Sequence, residues 1–153
     1  YNRRMFRDEV EAFMKRTDKP ACGALILFDI DDFKQINDQY GHPQGDAALL
    51  RMTEVLQSTF RQRDIIGRLG GDEFLAFIKD VTRRQILDQR MSELAQVLSF
   101  SDGIPIAFSA GTTFVQQKNF SYDRALKQAD EALYHSKQQG KAQSSYYADM
   151  IET

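Results

Sequence analysis

Two separated pairs of acids carry the chemistry this chain could perform. Asp72 and Glu73 stand side by side directly after Gly70 and Gly71, while Asp29 and Asp31 lie two apart at the end of an apolar run. Adjacent carboxylates repel one another, and a fold gains nothing from them unless a cation or a reacting group sits there. On an extended chain, residues two apart project to one side, so Asp29 and Asp31 are expected to share a face. If the two stretches meet, Asp29, Asp72 and Glu73 form a group of hard oxygen donors suited to Mg²⁺ or Mn²⁺. Two such ions clamp a triphosphate and activate a hydroxyl for in-line displacement. The distal phosphates then need positive charge. Lys34 follows the Asp29 stretch closely, and Lys137 and Lys141, four apart, end the last expected helix. Lysine serves phosphate as a point charge.

The elements that must position these groups follow from periodicity and turn chemistry. Ile65-Ile66 and Phe74 to Ile78 flank Gly70-Gly71, which reads as a tight hairpin over 64–79 because glycine reaches positive φ without a Cβ clash. The nearly continuous apolar run from Ala21 to Ile30 reads as a central strand buried on both faces. Met5, Phe6, Val10, Phe13 and Met14 recur at helical spacing within 1–18, and Asp18-Lys19-Pro20 breaks that helix. A short helical turn is expected over 32–38, with Phe33 and Ile36 on its apolar face. A longer helix should run from Pro43 to about Phe60, with Leu49, Met52, Leu56 and Phe60 as its buried stripe and Val55 beside them. Asp46 falls in the first turn of that helix, where the macrodipole alone would account for an acid. A further helix spans about Thr82 to Leu98 with Ile86, Leu87, Met91, Leu94, Val97 and Leu98 apolar. A strand follows from Ile104 to Val115, where Gly111 permits close backbone approach. Ser121 caps the last helix, Gly140 stops it, and Ser145 to Tyr147 add a short edge strand, with Tyr146 and Tyr147 as edge packing. The predicted class is α/β (α+β): a central mixed, largely antiparallel sheet flanked by helices, in one domain over 1–153.

Composition narrows the function classes. With 153 residues, 42% hydrophobic, 27% charged and a net charge of −2, the chain reads as an ordinary globular domain without the basic excess that nucleic acid demands. No apolar run reaches the eighteen or so residues of a membrane span, so no membrane contact is expected of this domain. The lone Cys22 excludes an internal disulfide and reads as a small buried hydrophobe in a reducing, cytoplasmic setting. His42 and His135 have no metal-ligand spacing. Neither a P-loop nor a dinucleotide-binding glycine pattern is present.

Taken together, Gly70-Gly71-Asp72-Glu73-Phe74, the run Phe28-Asp29-Ile30-Asp31-Asp32-Phe33-Lys34-Gln35-Ile36-Asn37-Asp38, then Tyr40-Gly41-His42, Gly45-Asp46 and Leu49, and finally Ala129-Asp130-Glu131-Ala132-Leu133-Tyr134 with Lys137 and Gly140 resemble the GGDEF family of diguanylate cyclases. The resemblance spans nearly the whole chain and implies a polymerase-palm-like, nucleotidyl-cyclase-like fold that condenses two GTP into cyclic di-GMP and two pyrophosphates. It implies that Asp29, the Ile30 carbonyl and Asp72 hold two Mg²⁺ (or Mn²⁺) per site, with Glu73 completing the acidic cluster and Lys34 beside it. Asn37 and Asp46 would read guanine, since a carboxylate accepts from both N1–H and the 2-amino group, which adenine does not offer together. Phe33 and Leu49 would wall the pocket, with the Gly70-Gly71 turn against the substrate. Lys137 and Lys141 would meet the phosphates. Lys141 stands where the family more often has arginine, keeping charge and losing the bidentate fork. Arg61 and Asp64, just upstream of Gly70, would form an inhibitory product site, with Arg90 adding a contact. The resemblance further implies a catalytic homodimer and an upstream sensory region, with membrane anchoring, where present, lying upstream. The family's usual turn before Tyr1-Asn2-Arg3-Arg4 is missing, so weakened activity or dimerisation is expected. The rival reading is a catalytically silent receptor for GTP or cyclic di-GMP that acts through a protein partner.

Overall fold

The computed structural model describes residues 1–99 and 103–151. Its elements run α1 (Arg3–Met14), β1 (Cys22–Ile30), α2 (Phe33–Tyr40), α3 (His42–Thr59), β2 (Ile65–Gly70), β3 (Glu73–Lys79), α4 (Arg84–Ser99), β4 (Phe108–Gln116), α5 (Tyr122–Gln138), β5 (Ser144–Tyr146) and α6 (Tyr147–Ile151). The sheet order is β2-β3-β1-β4-β5. Among the described residues the β4–β5 pairing alone is parallel, and the other three are antiparallel. The sheet is therefore mixed and largely antiparallel, as expected.

Strand β1 is central, and its side chains alternate between two cores. Ala24, Ile26, Phe28 and Ile30 pack with Met52, Leu56, Leu87 and Leu94 from α3 and α4. Leu25 and Leu27 pack with Phe6 and Val10 of α1 and Ala129 and Leu133 of α5. Burial on both faces is what makes the sequence of β1 read as one continuous apolar run. The alternation also decides where Asp29 points: as the next odd position after Leu27, it belongs to the α5 side. Phe74, Ala76 and Ile78 of β3 join the first core, Leu75 and Phe77 the second, so Glu73 also falls on the α5 side.

Helix α5 lies close against β4 because Gly111 has no side chain. A Cβ there would stand 2.2 Å from the Ala129 carbonyl oxygen and from Leu133 N, as the glycine in that strand led us to expect.

Several expectations need correction. Strand β4 begins at Phe108 rather than Ile104, because Pro105 has no N–H to give and the Ile106 N–H donates to the Leu98 carbonyl. Ile86 and Val97 on α4, and Met5 on α1, are about half exposed rather than buried. Leu49 is partly buried against the first core rather than part of a fully buried stripe. Cys22, at the open end of β1, is also only partly buried. The edge strand forms one residue earlier, over Ser144–Tyr146, and Tyr147 opens an unanticipated last helix. Tyr146 does pack at the edge, stacked on Phe114 with ring centroids 5.9 Å apart. Among the described residues, no helix is long and apolar enough to cross a membrane.

Candidate active site

The antiparallel register brings the two acidic stretches together. Asp29 lies opposite Glu73 across β1 and β3, and the Ile30 N–H donates to the Asp72 carbonyl at 3.2 Å. The hairpin turns through Gly71 and Asp72, with Gly70 (φ 148°) and Gly71 (φ 52°) in conformations that L side chains rarely adopt. Arg68 holds the turn from outside. Its Nε and Nη2 donate to the Gly71 carbonyl at 3.0 and 2.5 Å. Sequence reasoning missed Arg68, although its place two residues before the glycine pair was a usable signal.

Electrostatically the site is under tension. Asp29 is buried, with its Oδ2 paired to Lys137 Nζ and its Oδ1 without a hydrogen-bond donor among the described residues. Burial first, and then the neighbouring Asp72 carboxylate, push the Asp29 pKa up to about 6 against the pull of Lys137. Glu73 is likewise raised, by burial first and by the charge of Asp29 second. Burial works against the Lys137 ammonium, but Asp29, Glu73 and Asp72 outweigh it and raise its pKa. Among the described residues, no three acidic, histidine or cysteine side chains already close around one point as a metal cage. The donor set nonetheless fits a hard divalent cation: a buried carboxylate with one uncommitted oxygen, beside a second carboxylate that raises its pKa.

Asp31 meets different partners from Asp29. The strand ends at Ile30, and the Asp31 carboxylate accepts from Ser109 Oγ at 2.6 Å and from Ala142 N–H at 2.8 Å. It ties the start of α2 to the loop after α5. Asp31 stays on the α5 side with Asp29, as their spacing led us to expect, since its donor Ser109 lies opposite Asp29 across β1 and β4; what differs is the partner each acid finds.

Lys141 also differs from expectation. Helix α5 ends at Gln138, so Lys141 stands in the following turn, where Gly140, Lys141 and Ala142 are all left-handed. Non-glycine residues at such angles are held there by their surroundings. Lys141 Nζ meets Asp32 Oδ1 at 2.6 Å, which brings this positive charge to the start of α2. Lys34 is exposed on the first turn of α2.

The proposed base-reading residues lie on α2 and α3. Asn37 is partly buried, Phe33 packs partly buried against the core, and Asp46 is exposed. Helix α3 starts at His42, one residue before the expected Pro43, so Asp46 is its fifth residue and no acid occupies its first turn. Asp46 thus lies just past the first turn, where the macrodipole favours an acid more weakly.

Arg61, Asp64 and Arg90 stand elsewhere. They line one cavity of about 200 Å³ with Ile78 and Ile86, at the far end of the β2–β3 hairpin. Along β3 that is roughly 20 Å from Glu73. Asp64 is buried and accepts from Arg61 N (3.0 Å), Arg61 Nε (3.1 Å), Arg61 Nη2 (2.9 Å) and Lys79 N (3.0 Å). The pair is a clamp on the hairpin, whatever else it binds. Arg90 pairs with Glu93 at 3.2 Å.

Comparison with known proteins agrees with this architecture. The family model described as "Diguanylate cyclase, GGDEF domain" matches residues 1–143. The chain is 35% identical over 149 residues to the probable diguanylate cyclase DgcC of Escherichia coli K12, covering 92% of this chain and 39% of that protein. The chain thus spans well under half the length of that curated relative. Among solved structures, the active GGEEF domain of a diguanylate cyclase from Vibrio cholerae superposes with a TM-score of 0.79 at 28% identity, covering 95% of this chain and 96% of that one. The GGDEF domain of DgcB from Caulobacter crescentus, solved in complex with c-di-GMP, gives 0.81 at 25% identity over 96% and 91%. Diguanylate cyclase SiaD from Pseudomonas aeruginosa, solved with its activator SiaC, gives 0.83 at 27% identity over 95% and 58%. With the motifs, the sheet topology and the family match over residues 1–143 in agreement, this chain belongs to the GGDEF family of diguanylate cyclase domains.

Proposed function

We propose that this domain is a diguanylate cyclase that condenses two GTP into cyclic di-GMP across a site completed by a second copy of the chain. The observation that carries the reading is Asp29: buried, half uncommitted, and pressed against Asp72 at the mouth of the hairpin. Each 3′-hydroxyl oxygen attacks the α-phosphorus of the opposite GTP, the bond to the β-phosphate breaks, and pyrophosphate leaves while the hydroxyl proton is lost to water or a nearby carboxylate.

Asp29 and Asp72, with the Ile30 carbonyl, hold Mg²⁺ or Mn²⁺, and Glu73 adds negative charge that strengthens the hold. Bound divalent cations neutralise the triphosphate and make the attacking hydroxyl easier to deprotonate. The residues of the chain supply everything else. Lys34, Lys137 and Lys141 neutralise the phosphates, so Lys137 exchanges its contact with Asp29 for one with the substrate. Asn37 and Asp46 hydrogen-bond guanine, Phe33 and Leu49 wall the base, and the Gly70-Gly71 turn lets the substrate approach backbone. One domain holds one GTP, so turnover needs the encounter of two chains.

Arg61 and Asp64, with Arg90 across the same cavity, form the product site in this reading. The Arg61 guanidinium is about two-fifths exposed and has a face left to offer a phosphate or a guanine edge. A cytoplasmic setting and an upstream sensory region complete the proposal. Incubation with GTP and Mg²⁺, followed by chromatography of the products, tests it. Cyclic di-GMP from the native chain and none from Asp72→Ala is the expected result. An unchanged rate in Asp72→Ala would overturn the metal assignment, and cyclic di-GMP binding without turnover by the native chain would favour a receptor.

A further inference from the structure

The packing between α2 and α3 assigns a role to a residue that makes no bond to substrate. Gly45 is buried on α3, facing the side chains of Asn37 and Phe33 on α2. A Cβ at position 45 would stand 1.8 Å from Asn37 Oδ1, 2.9 Å from its Cγ and 3.4 Å from Phe33 Cζ. The first two distances are overlaps. Helix α3 is anchored here independently of the side chains, since Gln44 and Gly45 N–H both donate to the Gly41 carbonyl, and Gly41 N–H closes α2 onto the Asn37 carbonyl. The backbone is tied, so the movable party is the Asn37 amide.

We infer that Gly45 is a positioning residue: its missing side chain lets the Asn37 amide stand where it meets the base, with Phe33 beside it. Any larger residue drives the amide away by more than an ångström, beyond the roughly 0.5 Å range over which a hydrogen bond keeps its strength. The far end of a flexible side chain yields easily, so the fold survives and recognition is what suffers. Alanine also suits a helix better than glycine does, which separates the two effects in sign.

This inference rests on the reading of Asn37 as a guanine contact. Its test is a double-mutant cycle of Gly45→Ala and Asn37→Ala. Binding of a non-hydrolysable GTP analogue with Mg²⁺ is measured by calorimetry, and thermal stability is recorded for each variant. Gly45→Ala is expected to weaken binding about tenfold, the loss of a hydrogen bond, with a melting temperature equal to or above the native value. In the Asn37→Ala background the same change should cost less than about twofold, because the displaced amide is already gone. Native affinity in Gly45→Ala, full additivity in the double variant, or a large fall in its melting temperature each overturns the inference. Should Asn37→Ala itself bind the analogue as the native chain does, the guanine reading of Asn37 fails, and this inference with it; a deficit in Asn37→Ala alone sinks only the role of Gly45.

Discussion

The two ends of the β2–β3 hairpin treat a buried carboxylate in opposite ways. At one end Asp64 accepts four hydrogen bonds, from Arg61 and from the Lys79 N–H. At the other end Asp29 has a lysine on one oxygen, no donor on the second among the described residues, and Asp72 beside it. Both are buried, and both lie where a strand meets a turn. The difference is between an acid satisfied by its own fold and one left short of partners. The first holds the hairpin; the second holds chemical potential for a ligand. A buried charge without enough donors is costly, and a protein retains it where something outside the chain completes it.

This contrast can be broken by substitution. The largest effect is expected on turnover: Asp72→Ala should lower cyclic di-GMP formation at least a thousandfold, about 4 kcal/mol in the barrier, with the melting temperature nearly unchanged. Next comes stability at the far end. Asp64→Ala leaves the Lys79 and Arg61 backbone N–H groups without their acceptor and the Arg61 guanidinium with only the Lys79 carbonyl, and should cost about 3 kcal/mol in chemical denaturation. A loss under about 1 kcal/mol would show that the clamp is not structural.

The mirror-image substitution at the active end should act with the opposite sign. The folded pKa of Asp29, about 6, lies above its ordinary value of 3.8, so the folded chain holds this proton more tightly than the unfolded one. The cost of ionising Asp29 is absent below about pH 4, grows as pH rises, and is complete above about pH 6. Without divalent ions, Asp29→Asn should stabilise the chain by about 1–2 kcal/mol at neutral pH, and the gain should vanish near pH 4. Lys137, partly exposed, loses little when its partner is neutralised. Denaturation curves across that range check the sign. Adding Mg²⁺ sharpens the comparison: it should raise the melting temperature of the native chain by mass action and leave Asp29→Asn unmoved.

The smallest stability effect is expected from Arg61→Ala. Two backbone donors to Asp64 remain, and the lost pair is partly exposed, so about 1 kcal/mol or less should be lost. Its informative readout is functional. Cyclic di-GMP should bind more weakly and late-phase inhibition should ease, and unchanged product affinity would remove Arg61 from the product site.

Much of this molecule is legible in local sequence. The apolar run of β1, the helical spacings in α1, α3, α4 and α5, and the glycine pair of the hairpin follow from periodicity and turn chemistry, which act over a few residues. The crowding of the acids marks where a candidate site lies. What the sequence left open was how each acid is met. Asp29 and Asp31 look equivalent two residues apart, yet one finds a lysine 108 positions away and the other a serine hydroxyl 78 positions away. The space beside Gly45 exists only because α2 folds back onto α3. Those outcomes depend on strand register and on which side of the sheet a helix covers. Short-range spacing selects the elements, while partners far apart in the chain are chosen only when the elements pack.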